Sequence, residues 1–367
     1  MTSKVLTDFT IGAGSYGIAA SAVDKNELLP TYLRITDIYD DGTLNFEGLK
    51  SVDDPKSDNY KLEPNDIVFA RTGGSTGRNY FYDGEDGDFI YAGFLIKFSI
   101  DPGKCNPKFI KYYCQSQEYK EWVQSFNTGS TRGNINAKTF GNMPIPYVSR
   151  KQQDLIVKTL SALDDKIAEN KKINHHLEQI AMAIFDDIFP NVSSGDSKIG
   201  KYIVPKRGKG LLSKDAIDGV VPVIAGGLQP ATYHNVANTM APVITISASG
   251  ANAGYVNLWS VPVWSSDSSF IDKSMTNDVY FWYIMLKKRQ QEIYDSQTGS
   301  AQPHIYPKHI DAMPTNALSD ELISSFTEQV TSMFEQIGNN LDEIKVLQDC
   351  RDALLPKLMS GELSVTD

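Results

Sequence analysis

Two long stretches of the chain carry one hydrophobic pattern. In residues 149–189, Ile156, Leu160, Leu163, Ile167, Asn170, Asn174, Leu177, Ala181, Ile184 and Ile188 follow one another at alternating steps of four and three. That spacing predicts a heptad seam on one face of an α-helix, with two asparagines at its centre. About 39 residues at 1.5 Å each would make a rod of roughly 58 Å. Residues 319–359 carry the same frame in Ile323, Phe326, Val330, Met333, Ile337, Asn340, Ile344, Leu347, Arg351, Leu354 and Leu358. An offset of 170 maps one set on the other without a gap: Ile167 to Ile337, Asn170 to Asn340, Leu177 to Leu347.

The offset continues upstream. Thr128-Gly129-Ser130 matches Thr298-Gly299-Ser300, Ile135 matches Ile305, Lys138 matches Lys308, and Met143-Pro144 matches Met313-Pro314. Further back, residues 72–77 (TGGSTG) resemble residues 249–254 (SGANAG) at an offset of 177. The chain thus reads as a tandem duplication in which a globular segment and a long helix occur twice. The repeat is far longer than the roughly 20–50 residues of a solenoid unit.

Within the globular segments the expected elements are short. Residues 5–11, 33–38, 67–70 and 89–100 read as strands, and 107–126 as a helix whose aromatic side (Phe109, Tyr112, Tyr113, Tyr119, Trp122) faces the core. Residues 220–227 and 243–246 read as strands of the second copy. Each copy then has two polar loops. Arg71 to Tyr80 combines glycines, which let backbone N–H groups approach an anion, with Arg71 and Arg78, suited to phosphate or guanine edges. In residues 127–138 donors crowd together, Arg132, Asn134, Asn136 and Lys138 among them. The second copy keeps the glycines and changes the side chains: Asn252 and Tyr255 in one loop, and Gln302, His304, Tyr306 and Lys308 in the other. The reading is one scaffold presenting two different hydrogen-bonding surfaces.

Charge and composition narrow the picture. The 367 residues carry a net charge of −10, concentrated in the helical stretches, where 151–190 and 321–367 hold 8 Lys+Arg against 16 Asp+Glu. The globular segments are close to neutral, so bulk charge gives no positive sign of nucleic acid, while acidic helix faces suit solvent or a protein partner. No apolar run reaches the ~18 residues of a membrane span. Cys105, Cys114 and Cys350 lie scattered, which suggests a reducing, cytoplasmic compartment. Gly12, Gly14 and Gly17 form a literal G-x-G-x-x-G. A dinucleotide loop would need a helix after it and an acidic residue about 20 positions on, and neither pattern is present; a glycine-rich turn is the expectation. No zinc-ligand spacing or Walker loop occurs, and the sequence reads as a binding protein.

Taken together, the residues 129–189 (GSTRGNINAKTFGNMPIPYVSRKQQDLIVKTLSALDDKIAENKKINHHLEQIAMAIFDDIF in essence), 222–227, 264–270 (WSSDSSF) and 351–363 (RDALLPKLMSGEL) resemble the specificity subunit of type I restriction–modification enzymes. The resemblance implies an α+β chain with two globular target-recognition domains alternating with two long helices, packed as an antiparallel coiled coil in a pseudo-two-fold internal repeat. The expected boundaries are 1–148, 149–190, 191–318 and 319–367. It implies that the chain reads a bipartite, asymmetric site on double-stranded DNA, one domain per half-site, and itself catalyses nothing. Two modification subunits would bring S-adenosylmethionine for adenine methylation, and restriction subunits would bring ATP and Mg; no cofactor or metal is expected in this chain. The candidate DNA contacts are Arg71, Thr72, Thr76, Arg78, Asn79, Arg132, Asn134, Asn136 and Lys138 in the first domain, and Asn252, Tyr255, Gln302, His304, Tyr306 and Lys308 in the second. The candidate partner-binding residues on the helices are Asp164, Lys166, Glu169, Lys171, Glu335 and Glu343. An alternative from another class is a coiled-coil scaffold or antirestriction decoy that binds modification subunits without reading DNA, which the net charge favours.

Overall fold

The computed structural model describes residues 3–126, 133–299 and 302–363. They fall into two compact units, residues 1–166 with 346–367, and residues 167–345. In chain order the first unit holds β1 (Ser3–Val5), β2 (Ser15–Tyr16), β3 (Ala22–Val23), β4 (Thr31–Leu33), β5 (Lys50–Val52), β6 (Asp66–Ala70), β7 (Asn79–Tyr82), β8 (Phe89–Tyr91), β9 (Leu95–Ser99), α1 (Pro107–Tyr113), α2 (Gln117–Gln124), α3 (Ala137–Gly141) and β10 (Pro144–Pro146). The long helix α4 (Arg150–Ile188) carries the chain into the second unit. There follow β11 (Ser197–Lys198), β12 (Lys206–Arg207), β13 (Val221–Ile224), β14 (Thr232–His234), β15 (Val243–Ser247), β16 (Val256–Trp259), β17 (Trp264–Ser265), β18 (Ser268–Asp272), α5 (Val279–Lys288), α6 (Gln290–Asp295), α7 (Pro307–Asp311), β19 (Pro314–Thr315) and α8 (Asp320–Ser360). From Val346 on, α8 belongs to the first unit.

The two units repeat one sheet. The first orders its strands β2-β9-β6-β7 and the second β12-β18-β15-β16. At the centre of each, β6 (DIVFA) and β15 (VITIS) are buried along their whole length, the polar Asp66, Thr245 and Ser247 included. A second sheet accompanies each, β3-β5-β4-β8 in the first unit and β14-β13-β17 in the second. Both units are α+β, and the internal repeat read from the sequence is present in the strand order.

Several local expectations need correction. β4 ends at Leu33, because Asp37 folds back on Arg34: the Asp37 N–H donates to the Arg34 carbonyl at 3.0 Å and the side chains pair at 2.6 Å. Of residues 5–11 only Val5 belongs to a strand, and Leu6–Phe9 make a tight helical turn. The aromatic helix is two helices. Ser116 starts the second one by accepting the Tyr119 N–H on its hydroxyl at 3.3 Å, satisfying a donor that the first turn of a helix leaves orphaned. Its aromatic side is core as expected, with Phe109, Tyr112, Tyr113 and Tyr119 buried.

Both long helices are continuous. In the first unit, Ile156 and Leu160 of α4 share a core with Leu355 and Leu358 of α8, and Arg351 donates to Asp164 at 3.1 Å. In the second unit, Asn170 donates to Glu343 and Asn340 to Asn174, each at 2.7 Å, and Phe185 meets Phe326. Rising numbers in α4 meet falling numbers in α8 in each unit, so the packing is antiparallel. The seam drifts near the end of α4: Phe185 and Phe189 are buried where Ile184 and Ile188 were expected, and those two are half-buried. A straight helix of 3.6 residues per turn slips by about 20° per heptad against a 3.5-residue repeat, enough over four heptads to hand the seam to the next residue.

The seam asparagines are buried, Asn170 1% and Asn340 4% exposed. Their partners differ. Asn170 donates to the exposed carboxylate of Glu343, whereas Asn340 donates to half-buried Asn174 and accepts from Gln336 at 2.6 Å. Asn170→Leu is therefore expected to keep or raise stability, since the carboxylate it abandons turns to water. Asn340→Leu is expected to cost about 1–3 kcal/mol by stranding Asn174 in a part-buried seam. Urea unfolding of the two variants checks the difference, and equal effects would contradict it.

Candidate nucleic-acid interface

Each unit builds the same two-loop frame at the end of its central strand. In the first, the chain leaves β6 at Arg71 and turns through Gly73–Ser75. The Gly77 N–H donates to the Ala70 carbonyl at 2.9 Å and the Ala70 N–H to the Arg78 carbonyl at 2.8 Å, closing the loop on the strand that starts it. The second loop lies along the first: Thr72 bridges Asn134, the Ile135 N–H donates to the Arg71 carbonyl at 2.9 Å, and the Thr76 hydroxyl donates to the Gly133 carbonyl at 3.0 Å.

The second unit repeats the backbone bonds position by position. Gly254 donates to Ser247 at 2.7 Å and Ser247 to Tyr255 at 3.0 Å; Ser249 bridges His304, and Ile305 donates to Ala248 at 3.0 Å. Gly77 and Gly254 stand at φ of 90° and 91°, a region that side chains avoid. Each also packs tightly, with a would-be Cβ aimed at Val123 of α2 or Ile293 of α6. Helix side chains clamp both turns alike: Tyr119 donates to the Gly77 carbonyl at 2.5 Å and Gln290 to the Gly254 carbonyl at 2.8 Å. The glycines thus hold a rigid backbone frame, and the side chains upon it are what differ.

In the first unit, Arg71 is half-buried, with its guanidinium 5.2 Å from the ring centre of Tyr16 and 5.8 Å from that of Phe94. Arg78 is paired with Asp40 at 2.7 Å and also donates to the Ile38 carbonyl at 3.1 Å. Asn79 is a correction to the sequence reading. It is buried, and its amide donates to the Cys114 carbonyl at 3.1 Å, so it braces the loop from below rather than facing outward. Thr72 and Thr76 are half-buried within the frame. Asn134 and Lys138 are exposed. Asn136 is exposed too, and its side-chain oxygen caps α3 by accepting the Thr139 N–H at 2.9 Å. Arg132 lies outside the described residues.

In the second unit, Asn252 donates to the Gly226 carbonyl at 3.5 Å, and the Lys287 ammonium sits 4.9 Å from the ring centre of Tyr255. Gln302 and Lys308 are exposed. The rings of His304 and Tyr306 stack at 5.9 Å with 16° between their planes, and Lys308 lies 5.8 Å from the Tyr306 ring centre. His309 holds this corner by accepting the Tyr306 N–H on Nδ1 at 3.1 Å. Burial, and then the neighbouring Lys308 charge, push the His309 pKa below the ordinary histidine value, which favours the neutral ring that this bond needs.

The helix residues divide. Asp164 is engaged inside the first unit, accepting the Tyr112 hydroxyl at 2.8 Å and Arg351 at 3.1 Å. Glu343 holds Asn170, while Glu169, Lys171 and Glu335 are exposed and Lys166 is half-buried. Sequence reasoning missed Tyr16 and Phe94, 43% and 55% exposed, whose only signal was an aromatic residue next to a glycine in a turn-prone stretch. Cys105 and Cys114 are buried, and burial pushes the Cys105 thiol up to about 12. Among the described residues, no three or more His, Cys, Asp or Glu side chains gather as a metal would require, and no helix is long and apolar enough to cross a membrane.

Each unit thus carries a polar two-loop surface on a repeated scaffold, and the chain is similar to known proteins along its length. Residues 31–179 match the family described as type I restriction modification DNA specificity domain. The chain is similar to the MjaIX specificity subunit of Methanocaldococcus jannaschii, with 24% identity over 312 residues covering 71% of this chain and 70% of that one. It is equally similar to a putative type I specificity subunit of Mycoplasma genitalium, with 24% identity over 278 residues covering 71% and 72%. In fold it resembles the crystal structure of a type I restriction–modification S subunit from M. genitalium, with a TM-score of 0.60 at 19% identity over 97% of this chain and 95% of that one.

Proposed function

We propose that this chain reads a bipartite, asymmetric site on double-stranded DNA, with one two-loop frame per half-site, and positions modification and restriction subunits on it. The observation that carries the reading is the frame built twice with the same backbone bonds and with different side chains on each copy. A conserved backbone with altered donors and acceptors is what reading two unlike half-sites requires, because base edges are told apart by their hydrogen-bonding pattern. Asn134 and Asn136 in one unit, and Gln302, His304 and Tyr306 in the other, are assigned to bases. Lys138 and Lys308 recur at equivalent places and are assigned to phosphates, which carry no sequence information. Arg132 keeps its assignment to the first half-site on the sequence alone.

The chain itself is non-catalytic in this reading. Two modification subunits supply S-adenosylmethionine chemistry, and restriction subunits supply ATP and Mg, all in the cytoplasm. The exposed acidic and basic side chains of the helices, Glu169, Lys171 and Glu335, are assigned to these partners.

Sequencing of methylated sites in cells expressing the complete enzyme tests the division of labour. Asn134→Ala is expected to relax one half-site only and Gln302→Ala the other only, each good side chain–base pair contributing about 1–3 kcal/mol of discrimination. Lys138→Ala is expected to weaken all duplexes alike and to flatten the logarithmic salt dependence of binding by about one unit. A complex that ignores DNA at every salt concentration would instead favour the scaffold or decoy reading, for which the charge of −10 speaks.

A further inference from the structure

The repeated sheet lets positions be equated that no constant sequence offset connects. In the first unit, Tyr16 of β2 stands opposite Ile96 of β9, which stands opposite Phe69 of β6. In the second, Arg207 of β12 stands opposite Ser269 of β18, which stands opposite Ile246 of β15. Tyr16 and Arg207 are therefore equivalent. The residue after each central strand, Arg71 or Ala248, donates its N–H to the carbonyl of Phe94 at 3.0 Å or of Asp267 at 3.1 Å, which makes Phe94 and Asp267 equivalent. The same three places hold Tyr16, Arg71 and Phe94 in one unit and Arg207, Ala248 and Asp267 in the other.

Each triplet holds one arginine, at different corners. Arg71 lies by the rings of Tyr16 and Phe94, its Nε is buried without a hydrogen-bond partner, and no carboxylate pairs with it among the described residues. Tyr16 is itself tied to the second loop, its hydroxyl oxygen accepting the Ala137 N–H at 3.1 Å. Arg207 is paired through Nη2 with Asp267 at 2.6 Å, both side chains being about 40% exposed, 41% and 40% respectively. Asp267 in turn accepts the Ser249 hydroxyl, which ties the pair to the first loop of its frame.

Resting on the DNA-reading function proposed above, we infer that Arg71 and Arg207 are the guanine-reading side chains of the two frames. Tyr16 and Phe94 hold the first, and Asp267 holds the second as a positioning residue. The planar fork of a guanidinium matches the O6 and N7 acceptors of guanine, and a fork already held in place loses less freedom on binding. Moving the arginine from the loop to the neighbouring strand shifts the point of contact on the groove without altering the frame. A net-acidic chain gains its sequence information here from two restrained cations rather than from a broad basic surface.

The test is selection of bound duplexes from a randomised DNA library by the full chain with its modification subunits, using wild type, Arg71→Lys, Arg207→Lys and Asp267→Asn. Lysine keeps the charge and removes the fork, and circular dichroism melting checks that each variant folds. Wild type is expected to enrich a split motif with a guanine in each half. Arg71→Lys should lose the preference for guanine at one position of one half by roughly 10- to 100-fold, the span of a good bidentate pair. Arg207→Lys and Asp267→Asn should lose it at one shared position of the other half. Unchanged motifs in folded variants, or both arginine variants altering the same half, would overturn the inference while leaving the DNA-reading function standing. A wild-type complex that enriches no motif would overturn that function, and this inference with it.

Discussion

Phe326→Ala is expected to lower the unfolding free energy of the second unit by about 3–5 kcal/mol, the usual cost of emptying a fully buried phenylalanine site. Phe326 is 0% exposed on the seam of α8. Its ring meets Phe185 of α4 at 5.5 Å, Phe189 just beyond that helix at 6.0 Å and Phe281 of α5 at 6.1 Å, all edge-to-face. Such pairs add to the burial term because the positive ring edge meets the negative face. The loss falls where two long helices and the globular part of the unit share one core, so the neighbours cannot close the gap without moving a helix. Chemical denaturation measures it, and a loss under about 1 kcal/mol would mean that this aromatic knot is not what joins the helices to the unit.

Gly17→Ala is expected to destabilise the first unit by about 1–3 kcal/mol or more, the range for overpacking. A Cβ at Gly17 would run into the backbone carbonyl oxygens of Tyr91 and Ala92, and backbone cannot swing aside as a side chain can. At Gly14 the obstacle is the ring of Phe98. Gly14 and Gly17 are therefore close-packing glycines: they lay β2 and the residues after it against β8 and β9, and the Gly17 N–H donates to the Leu95 carbonyl at 3.2 Å. No helix follows the G-x-G-x-x-G, and β2 pairs antiparallel with β9, which is not the parallel arrangement of a dinucleotide-binding unit. Calorimetry with a nicotinamide dinucleotide is expected to give no heat of binding for the wild type, and the variant's melting curve reports the packing loss.

Periodicity made the long helices legible. Ten seam positions in one helix and eleven in the other cannot arise from local propensity, and the drift to Phe185 and Phe189 follows from the mismatch between 3.6 and 3.5 residues per turn. The loop frames were legible because their glycines are fixed by φ and by close approach, leaving the same imprint in both copies. The end of β4 was not, since the Arg34–Asp37 pair that turns the chain looks like strand alternation in sequence. Nor was the break after α1, where aromatic spacing runs through the Ser116 cap. The arginine triplets were hidden for another reason. The offset between copies is 177 at Arg71 and Ala248 but 191 at Tyr16 and Arg207 and 173 at Phe94 and Asp267, so only strand register aligns them. Asn79 was misread because polar character alone does not separate a loop tip from a buried brace.

The most direct test of the two-frame reading is the methylome of cells carrying this chain with its modification subunits. The expected result is one split motif, two short unlike specified halves separated by a fixed number of unread base pairs, with methylated adenine in the specified parts. A single continuous motif, two identical halves, or no methylation dependent on this chain would contradict it.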